Sequence, residues 1–359
     1  MDKFNFTIIG AGVIGLSIAF DLSKTFNHIV LVEKNESFGQ EISSRNSEVI
    51  HAGLYYQKNS LKSRLCQEGK VFLYEYCEKN KIPFRKCGKI LVAKHEQENE
   101  LMNLFMKAID NGVSDCYLLN KENITNLEPL AFPGKAIFSP STGIIDTHAF
   151  MKSLKQKFED NNGIISFASK VVGIQYINRM YKIRLSNNFE FISEVVINCA
   201  GLGSTEISNL LDIRKEVFLC KGDYFRISPV PKINHLLYPL PLKENTGLGV
   251  HVTIDLGGGV KLGPDASYVN QIDYKINERK ASDFLMEGRK LIPSLTIDCI
   301  YPDMSGIRPK LQKYGETEQD FYITEETANG YKGFINLLGI ESPGLTASLA
   351  IAKYVTNLL

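Results

Sequence analysis

The run Phe6-Thr7-Ile8-Ile9-Gly10-Ala11-Gly12-Val13-Ile14-Gly15 constrains the fold of this chain more than any other stretch. An apolar strand-like run breaks at a glycine, and a helix-like run starts within a few residues. A second apolar run, His28-Ile29-Val30-Leu31-Val32, ends on Glu33, so the segment reads as a β-α-β unit with a G-x-G-x-x-G turn. Gly10 permits the tight turn, Gly12 lets the backbone approach a pyrophosphate, and Gly15 lets the helix pack closely on the sheet. The helix N-terminus, with Ile14 in its first turn, then presents unpaired amides and a partial positive charge to phosphates. Glu33 follows Gly15 by 18 residues, near the offset at which an acid accepts from adenosine ribose hydroxyls, and Lys34 stands beside it. A carboxylate there repels a 2′-phosphate, which disfavours NADP.

At 359 residues the chain exceeds what one core usually organises, so two subdomains are expected. The formal charge of +1 gives no electrostatic basis for binding nucleic acid or adhering to anionic lipid, and small molecules are the expected partners. The apolar stretch from Phe6 to Phe20 carries the nucleotide glycines, is shorter than a membrane span and precedes no small-residue cleavage pattern. No integral membrane segment is therefore expected. Seven cysteines, an odd number with no C-x-x-C pair, argue against a disulfide framework and point to the cytoplasm. Six scattered histidines without an H-x-x-x-H pair give a metal site little support.

After the first β-α-β unit, the polar segment from Ser37 to Gln57 is too long for a simple connector. Asn59 or Ser60 caps a predicted helix reaching about Asn80, with Leu61, Leu65, Phe72 and Tyr76 on its apolar face. Lys89 to Ala93 reads as a strand, Glu96 to Asn111 as a helix, and Thr147 to about Asp160 as another. Strand-like runs near 164–169, 171–176 and 180–185 suggest an antiparallel meander. Glu194 to Ala200 reads as a buried strand ending in Gly201-Leu202-Gly203-Ser204, a second glycine turn at the carboxyl edge of the parallel sheet. Short strands are expected from Val217 to Leu262, with Gly257-Gly258-Gly259 as a hairpin turn. A last strand leads through Gly339-Ile340-Glu341-Ser342-Pro343-Gly344 into a helix from Leu345 to Leu358. No linker separates these parts, so the two subdomains should interleave in sequence.

Two loops concentrate chemistry. The first, Ser43-Ser44-Arg45-Asn46-Ser47-Glu48-Val49-Ile50-His51-Ala52-Gly53-Leu54-Tyr55-Tyr56, mixes donors, a cation, an imidazole and phenols just after the nucleotide site. It reads either as the wall of a cofactor ring or as a solvated loop with a buried, backbone-satisfied His51. In the second, Pro343 and Gly344 turn the chain so that the amides of Leu345 and Thr346 point outward. Such amides stabilise negative charge on a carbonyl-bearing ring, or simply begin a helix.

These stretches, with Ser60-Leu61-Lys62, Leu65-Cys66, Lys221-Gly222-Asp223-Tyr224, Gly249-Val250-His251, Leu262-Gly263-Pro264 and Gly306-Ile307-Arg308, resemble the L-2-hydroxyglutarate dehydrogenase/oxidase family. That family lies within the FAD-dependent oxidoreductases of the D-amino-acid oxidase type, and the likeness runs over essentially the whole chain. It implies an α/β (overall α+β) fold, with a Rossmann-like FAD-binding domain on a parallel sheet and an interleaved, mostly antiparallel substrate domain. The expected division is 1–85, 140–215 and 300–359 for FAD, and 86–139 and 216–299 for substrate. It also implies FAD held by Gly10, Gly12, Ile14, Gly15, Glu33, Lys34, Arg45, Asn46, Ser47, Val49, Gly201, Gly344, Leu345 and Thr346, with a 2-hydroxy acid oxidised at its hydroxyl carbon.

For that reaction His251 is the expected base, titrating in the histidine range, with His51 second or against the flavin. Arg308 is the expected carboxylate clamp, with a surface ion pair as its plain alternative, and Lys221, Tyr224 and Tyr55 complete the substrate side. The chain departs from the better-known members at Glu48, where they carry glycine, and at Glu341-Ser342-Pro343-Gly344, where they carry an Asn-Ala-Pro-Ser-Pro type of turn. Alternatives are a related flavoenzyme acting on an amino acid or glycerol 3-phosphate, or a flavin-binding protein without turnover. The electron acceptor stays open among oxygen, a quinone and an electron-transfer protein, with the inner face of the membrane a further place for the chain.

Overall fold

The computed structural model describes residues 1–241 and 249–359. Part of the expected run of short strands from Val217 to Leu262 thus lies outside the described residues. Lys3–Ile9 forms the central strand of an eight-stranded sheet, pairing in parallel with Ile29–Val32 on one side and Glu190–Asn198 on the other. Phe334–Leu338 adds a further parallel strand beside Glu190–Asn198. The nucleotide helix Val13–Ser23, the long helix Leu61–Asn80, the helix Thr147–Asp160 and the C-terminal helix Gly344–Thr356 pack one core with this sheet. Ile8, Leu16, Ile18 and Leu31 are fully buried there, each contributing about 1.5–3 kcal/mol through apolar burial.

A second, nine-stranded sheet contains Lys89–Ala93, Lys135–Ser139, the ten-residue strand Phe218–Ile227 and Ile300–Lys310, with its own core. A small three-stranded sheet joins Val49–Ile50, Gly143–Ile145 and Phe84–Arg85.

The long helix begins at Leu61, where Ser60 accepts from the amide of Ser63, as the cap position predicts. The Asp255–Gly259 turn joins Val252–Ile254 to Val260–Leu262 as a hairpin. One expected meander is redrawn: Ile164–Ser166 pairs in parallel with Ile29–Val32, and the antiparallel run is Val171–Ile177, Met180–Leu185 and Glu190–Asn198. Helix Thr147–Asp160 feeds Ile164–Ser166 from the opposite end, and such a crossover is what parallel pairing requires. Ile300–Lys310 pairs along its length with Phe218–Ile227. We therefore place the return of the chain to the nucleotide-binding unit after Lys310 rather than before Ile300.

Candidate active site

A cleft of about 930 Å³ is walled at one end by the carboxyl edge of the parallel sheet and at the other by the second sheet. At the nucleotide end, Gly10 has φ +106°, and a Cβ there would lie 2.6 Å from the Cys199 carbonyl oxygen. A Cβ on Gly15 would lie 1.9 Å from the Gly10 carbonyl oxygen, so no larger residue fits while the helix stays in place. Gly12 differs, because a Cβ there would meet only the Ser43 hydroxyl, at 3.0 Å. That hydroxyl accepts from the amide of Val13 at 2.9 Å, while Ile14 and Gly15 precede the first helical bond, from Leu16 to Gly12. The buried Glu33 carboxylate accepts from the amides of Ala11 (2.7 Å) and Asn35 (2.9 Å). A second lone pair on each oxygen suits ribose hydroxyls. Lys34 pairs with Glu41 at 2.7 Å, and Gly201, at φ +56°, lines the cleft.

The loop after Glu41 is tied down residue by residue. The Arg45 guanidinium lies 4.0 Å from the centre of the Tyr274 ring and donates to the Ser305 carbonyl. Asn46 bridges the Ser43 carbonyl and the Glu48 amide, and the Ser47 hydroxyl bonds that of Tyr224 at 2.9 Å. Glu48 takes φ +55° and its carboxylate accepts from the Thr147 amide at 3.0 Å, with burial raising its carboxyl above the ordinary range. Glu48 thereby satisfies the first amide of the helix Thr147–Asp160, whose own cap is Asp146, accepting from Ala149. Val49 lines the cleft beside it.

At the C-terminal helix, Gly344 donates to the Glu341 carbonyl, and the first helical bond runs from Ala347 to Pro343. The amides of Leu345 and Thr346 are left ahead of that bond, with Gly344 and Leu345 in the cleft wall. The Thr346 hydroxyl accepts from the His51 amide at 2.9 Å and donates to Val49, fastening the loop to the helix.

His251 is buried, its ring stacked on Tyr238 at 3.9 Å between centres. Its Nδ1 lies 2.9 Å from the Gly249 carbonyl, which can only accept, so Nδ1 carries the proton and Nε2 keeps its lone pair. Burial, opposed by that bond and reinforced by Lys89 and Arg308, pushes its pKa down to about 3. His51, whose Nε2 is 3.2 Å from the Ser342 hydroxyl, is held well below the ordinary value by burial, then by Lys89 and His251. Both imidazoles are therefore neutral at pH 7. His251 thus lies below the histidine range that the sequence led us to expect, because burial comes first and basic groups, with no carboxylate, act on either ring.

Arg308 donates to the carbonyls of Asp265 (2.6 Å) and Cys220 (3.5 Å), and among the described residues no carboxylate pairs with it. The surface-pair alternative is thus excluded for the described residues. Tyr224 and Tyr55 line the cleft, but Lys221 does not. Strand alternation turns Gly222 and Tyr224 toward the cleft and Lys221 and Asp223 away. The Lys221 ammonium donates to the Lys275 carbonyl and lies 3.7 Å from Asp223, which corrects its place on the substrate side.

Three features escaped the sequence reading. Ser43 caps the nucleotide helix from thirty residues away, which no local pattern signals. Tyr238 hides in an apolar strand and stacks on His251. Lys310 follows Arg308 by two and shares its face of the strand, the one signal that was readable. Its ammonium and that of Lys62 converge on Glu341 at 2.8 and 3.3 Å.

His51 Nδ1, Arg45 Nε and the Tyr55 hydroxyl are buried in the cleft wall without a partner among the described residues, and two helix N-termini open into the same volume. That donor set fits a dinucleotide with a polar ring at its inner end. A family model described as FAD dependent oxidoreductase matches residues 5–358. The chain belongs to the FAD-dependent oxidoreductases.

Among relatives, it is 36% identical to the mitochondrial L-2-hydroxyglutarate dehydrogenase of Arabidopsis thaliana, covering 99% of this chain and 83% of that protein. It is 31% identical to a glycerol 3-phosphate dehydrogenase of Caloramator mitchellensis, over 99% and 74% of the two chains. The dithionite-reduced, FAD-bound L-alpha-glycerophosphate oxidase of Mycoplasma pneumoniae superposes with a TM-score of 0.87 at 26% identity, covering 100% and 95%. An FAD-dependent oxidoreductase needs a dinucleotide site beside a substrate site, and this cleft runs from the Gly10–Gly12 turn to His251 and Arg308 in one volume. Among the described residues, no helix is long and apolar enough to cross a membrane.

Proposed function

We propose that this oxidoreductase converts L-2-hydroxyglutarate to 2-oxoglutarate. The observation that carries the reading is Arg308: a guanidinium with no carboxylate partner among the described residues, in the same cleft wall as a neutral histidine with a free Nε2. Gly10, Gly12, Ile14, Glu33, Lys34 and Gly201 would hold the nucleotide part of FAD, with Gly15 beneath the turn. Arg45, Asn46, Ser47, Val49, Gly344, Leu345 and Thr346 would frame its ring. Bound FAD supplies the acceptor for the hydride and its two electrons that leave the hydroxyl carbon. Arg308 binds the neighbouring carboxylate through two parallel hydrogen bonds and so fixes which face of that carbon is presented. His251 Nε2 takes the hydroxyl proton, while the Gly249 carbonyl and the Tyr238 ring hold the imidazole in one tautomer and plane. A bound dianion raises the affinity of that nitrogen for a proton, bringing the base toward its working range.

A glycerol 3-phosphate reading is favoured by the second relative and by the Mycoplasma structure. An amino acid fits less well, because a cationic substrate wants an acid near the histidines and only basic groups act there. Anaerobic mixing of the yellow holoenzyme with L-2-hydroxyglutarate, L-lactate, amino acids and glycerol 3-phosphate separates these readings. Bleaching by L-2-hydroxyglutarate at the lowest concentration supports the proposal, and bleaching by glycerol 3-phosphate alone overturns it. Reoxidation by oxygen, a quinone or an electron-transfer protein then identifies the acceptor. Seven unpaired thiols suit a reducing compartment, the cytoplasm in the first place, although the Arabidopsis relative is mitochondrial.

A further inference from the structure

Lys89 opens the strand Lys89–Ala93 between Leu236 and Ser139 of its neighbours, and its side chain is 1% exposed. Among the described residues no carboxylate pairs with it. Its ammonium lies 4.6 Å from the centre of the Tyr55 ring and 4.8 Å from that of Tyr238. Both rings line the cleft, and Tyr238 carries His251 on its other contact. Arg308 in the cleft wall feels the carboxylates of Glu341 and Asp265, whereas among the described residues no carboxylate acts on Lys89 behind that wall. A buried charge without a counter-ion is costly, and the deficit is removed by an anionic ligand.

We propose that Lys89 is a positioning and specificity residue: behind the aromatic wall of Tyr55 and Tyr238, its amine becomes fully protonated only when a substrate with two acid groups binds. Arg308 then holds one acid group and the field of Lys89, acting through the low-dielectric Tyr55 and Tyr238 rings, favours the second. The inference rests on the dicarboxylate reading above. The surroundings of Lys89 support it. Its titratable neighbours are His51 and Tyr55 from the loop after Ile50, Cys66 from the long helix, Tyr238 from its strand, and His251. Burial pulls the amine down to about 7, and the Cys66 thiol, itself pushed up to about 12, stays neutral.

The test uses oxidised, FAD-loaded enzyme and glutarate, a dicarboxylate with no hydroxyl to oxidise. In weakly buffered indicator solution at pH 8, saturating glutarate should draw close to one proton per site from solvent, and the monocarboxylate butyrate much less. Glutarate affinity should weaken by roughly tenfold per pH unit above neutrality. Lys89→Met should abolish the uptake, flatten the pH dependence and weaken glutarate by roughly tenfold or more at pH 7, with FAD content unchanged. If that variant does not fold, Lys89→Arg decides: its charge is permanent, so it should bind glutarate with no uptake and no pH slope. Uptake that persists in either variant overturns the inference. Bleaching of wild type by L-2-hydroxyglutarate without glutarate-linked uptake overturns it alone, whereas absence of bleaching overturns the reading beneath it.

Discussion

Arg308 brings a permanent charge into the cleft wall with carbonyl oxygens and a cysteine as its hydrogen-bond partners. A point charge cannot reproduce its planar two-point grip, so Arg308→Lys should lower kcat/KM by about 2 kcal/mol, roughly thirtyfold, with FAD content intact. Unchanged kinetics would remove Arg308 from the substrate site. His251→Ala should stay yellow while flavin reduction slows on the order of 10² to 10⁴ fold. His51→Ala is the control, and if it alone abolishes reduction the two histidines exchange roles. The folded-state pKa of His251, about 3, lies below the ordinary 6.5, so the unfolded chain binds the extra proton between those values. Stability from His251 is therefore fully present above pH 6.5 and lost as pH falls toward 3. Urea titrations from pH 7 to pH 4 should show this loss in wild type and a shallower one in His251→Phe. At this scale the sequence pointed to Arg308, and the structure puts that side chain in the cleft wall, where the substitution tests its grip on substrate. The sequence was opaque where burial decides, since neither the low affinity of His251 for protons nor the inward face of Lys89 follows from composition or spacing.

Among elements, the nucleotide turn makes the sharpest contrast. A Cβ on Gly15 would strike the Gly10 carbonyl at 1.9 Å, whereas one on Gly12 would approach only a serine hydroxyl at the cleft edge. Gly12→Val should therefore lose FAD while the apoprotein keeps its stability within about 1 kcal/mol, because the branched side chain fills the approach of the pyrophosphate and little else. Gly15→Ala should lose both, with about 1–3 kcal/mol of destabilisation as the helix is pushed off the turn. Chemical melts of the two apoproteins and the released-flavin absorbance decide between these roles. Full FAD occupancy in Gly12→Val would remove the basis of the nucleotide assignment. Elements whose period and caps agree were readable to within a residue or two: Lys89–Ala93, Thr147–Asp160 and the helix capped by Ser60. Pairing partners were not. Ile164–Ser166 carries a strand pattern whichever neighbour it joins, and only the preceding crossover helix makes its pairing parallel.

Over the whole molecule, two sheets distant in sequence meet at the cleft, and a buried cluster ties them together there. Glu341, in the turn before the C-terminal helix, receives Lys310 from the second sheet and Lys62 from the long helix, while Lys62 also reaches Glu318. Burial alone would raise the Glu341 carboxyl, but the two ammonium groups hold it below the ordinary 4.5. Interleaving was readable from the absence of a linker, but the departure at Glu341 had no visible meaning until Lys62 and Lys310 came together in space. Glu341→Gln leaves two buried ammonium groups short of their counter-ion, one retaining the half-exposed Glu318, and should cost about 3–5 kcal/mol. The sign with pH follows from the depressed carboxyl: its stabilisation is fully present above pH 4.5 and is lost as pH falls through the lower folded value. The gap in unfolding free energy between wild type and Glu341→Gln should thus be widest near pH 7 and close at acid pH. A gap that does not narrow would mean that the carboxylate charge is not what joins the two sheets.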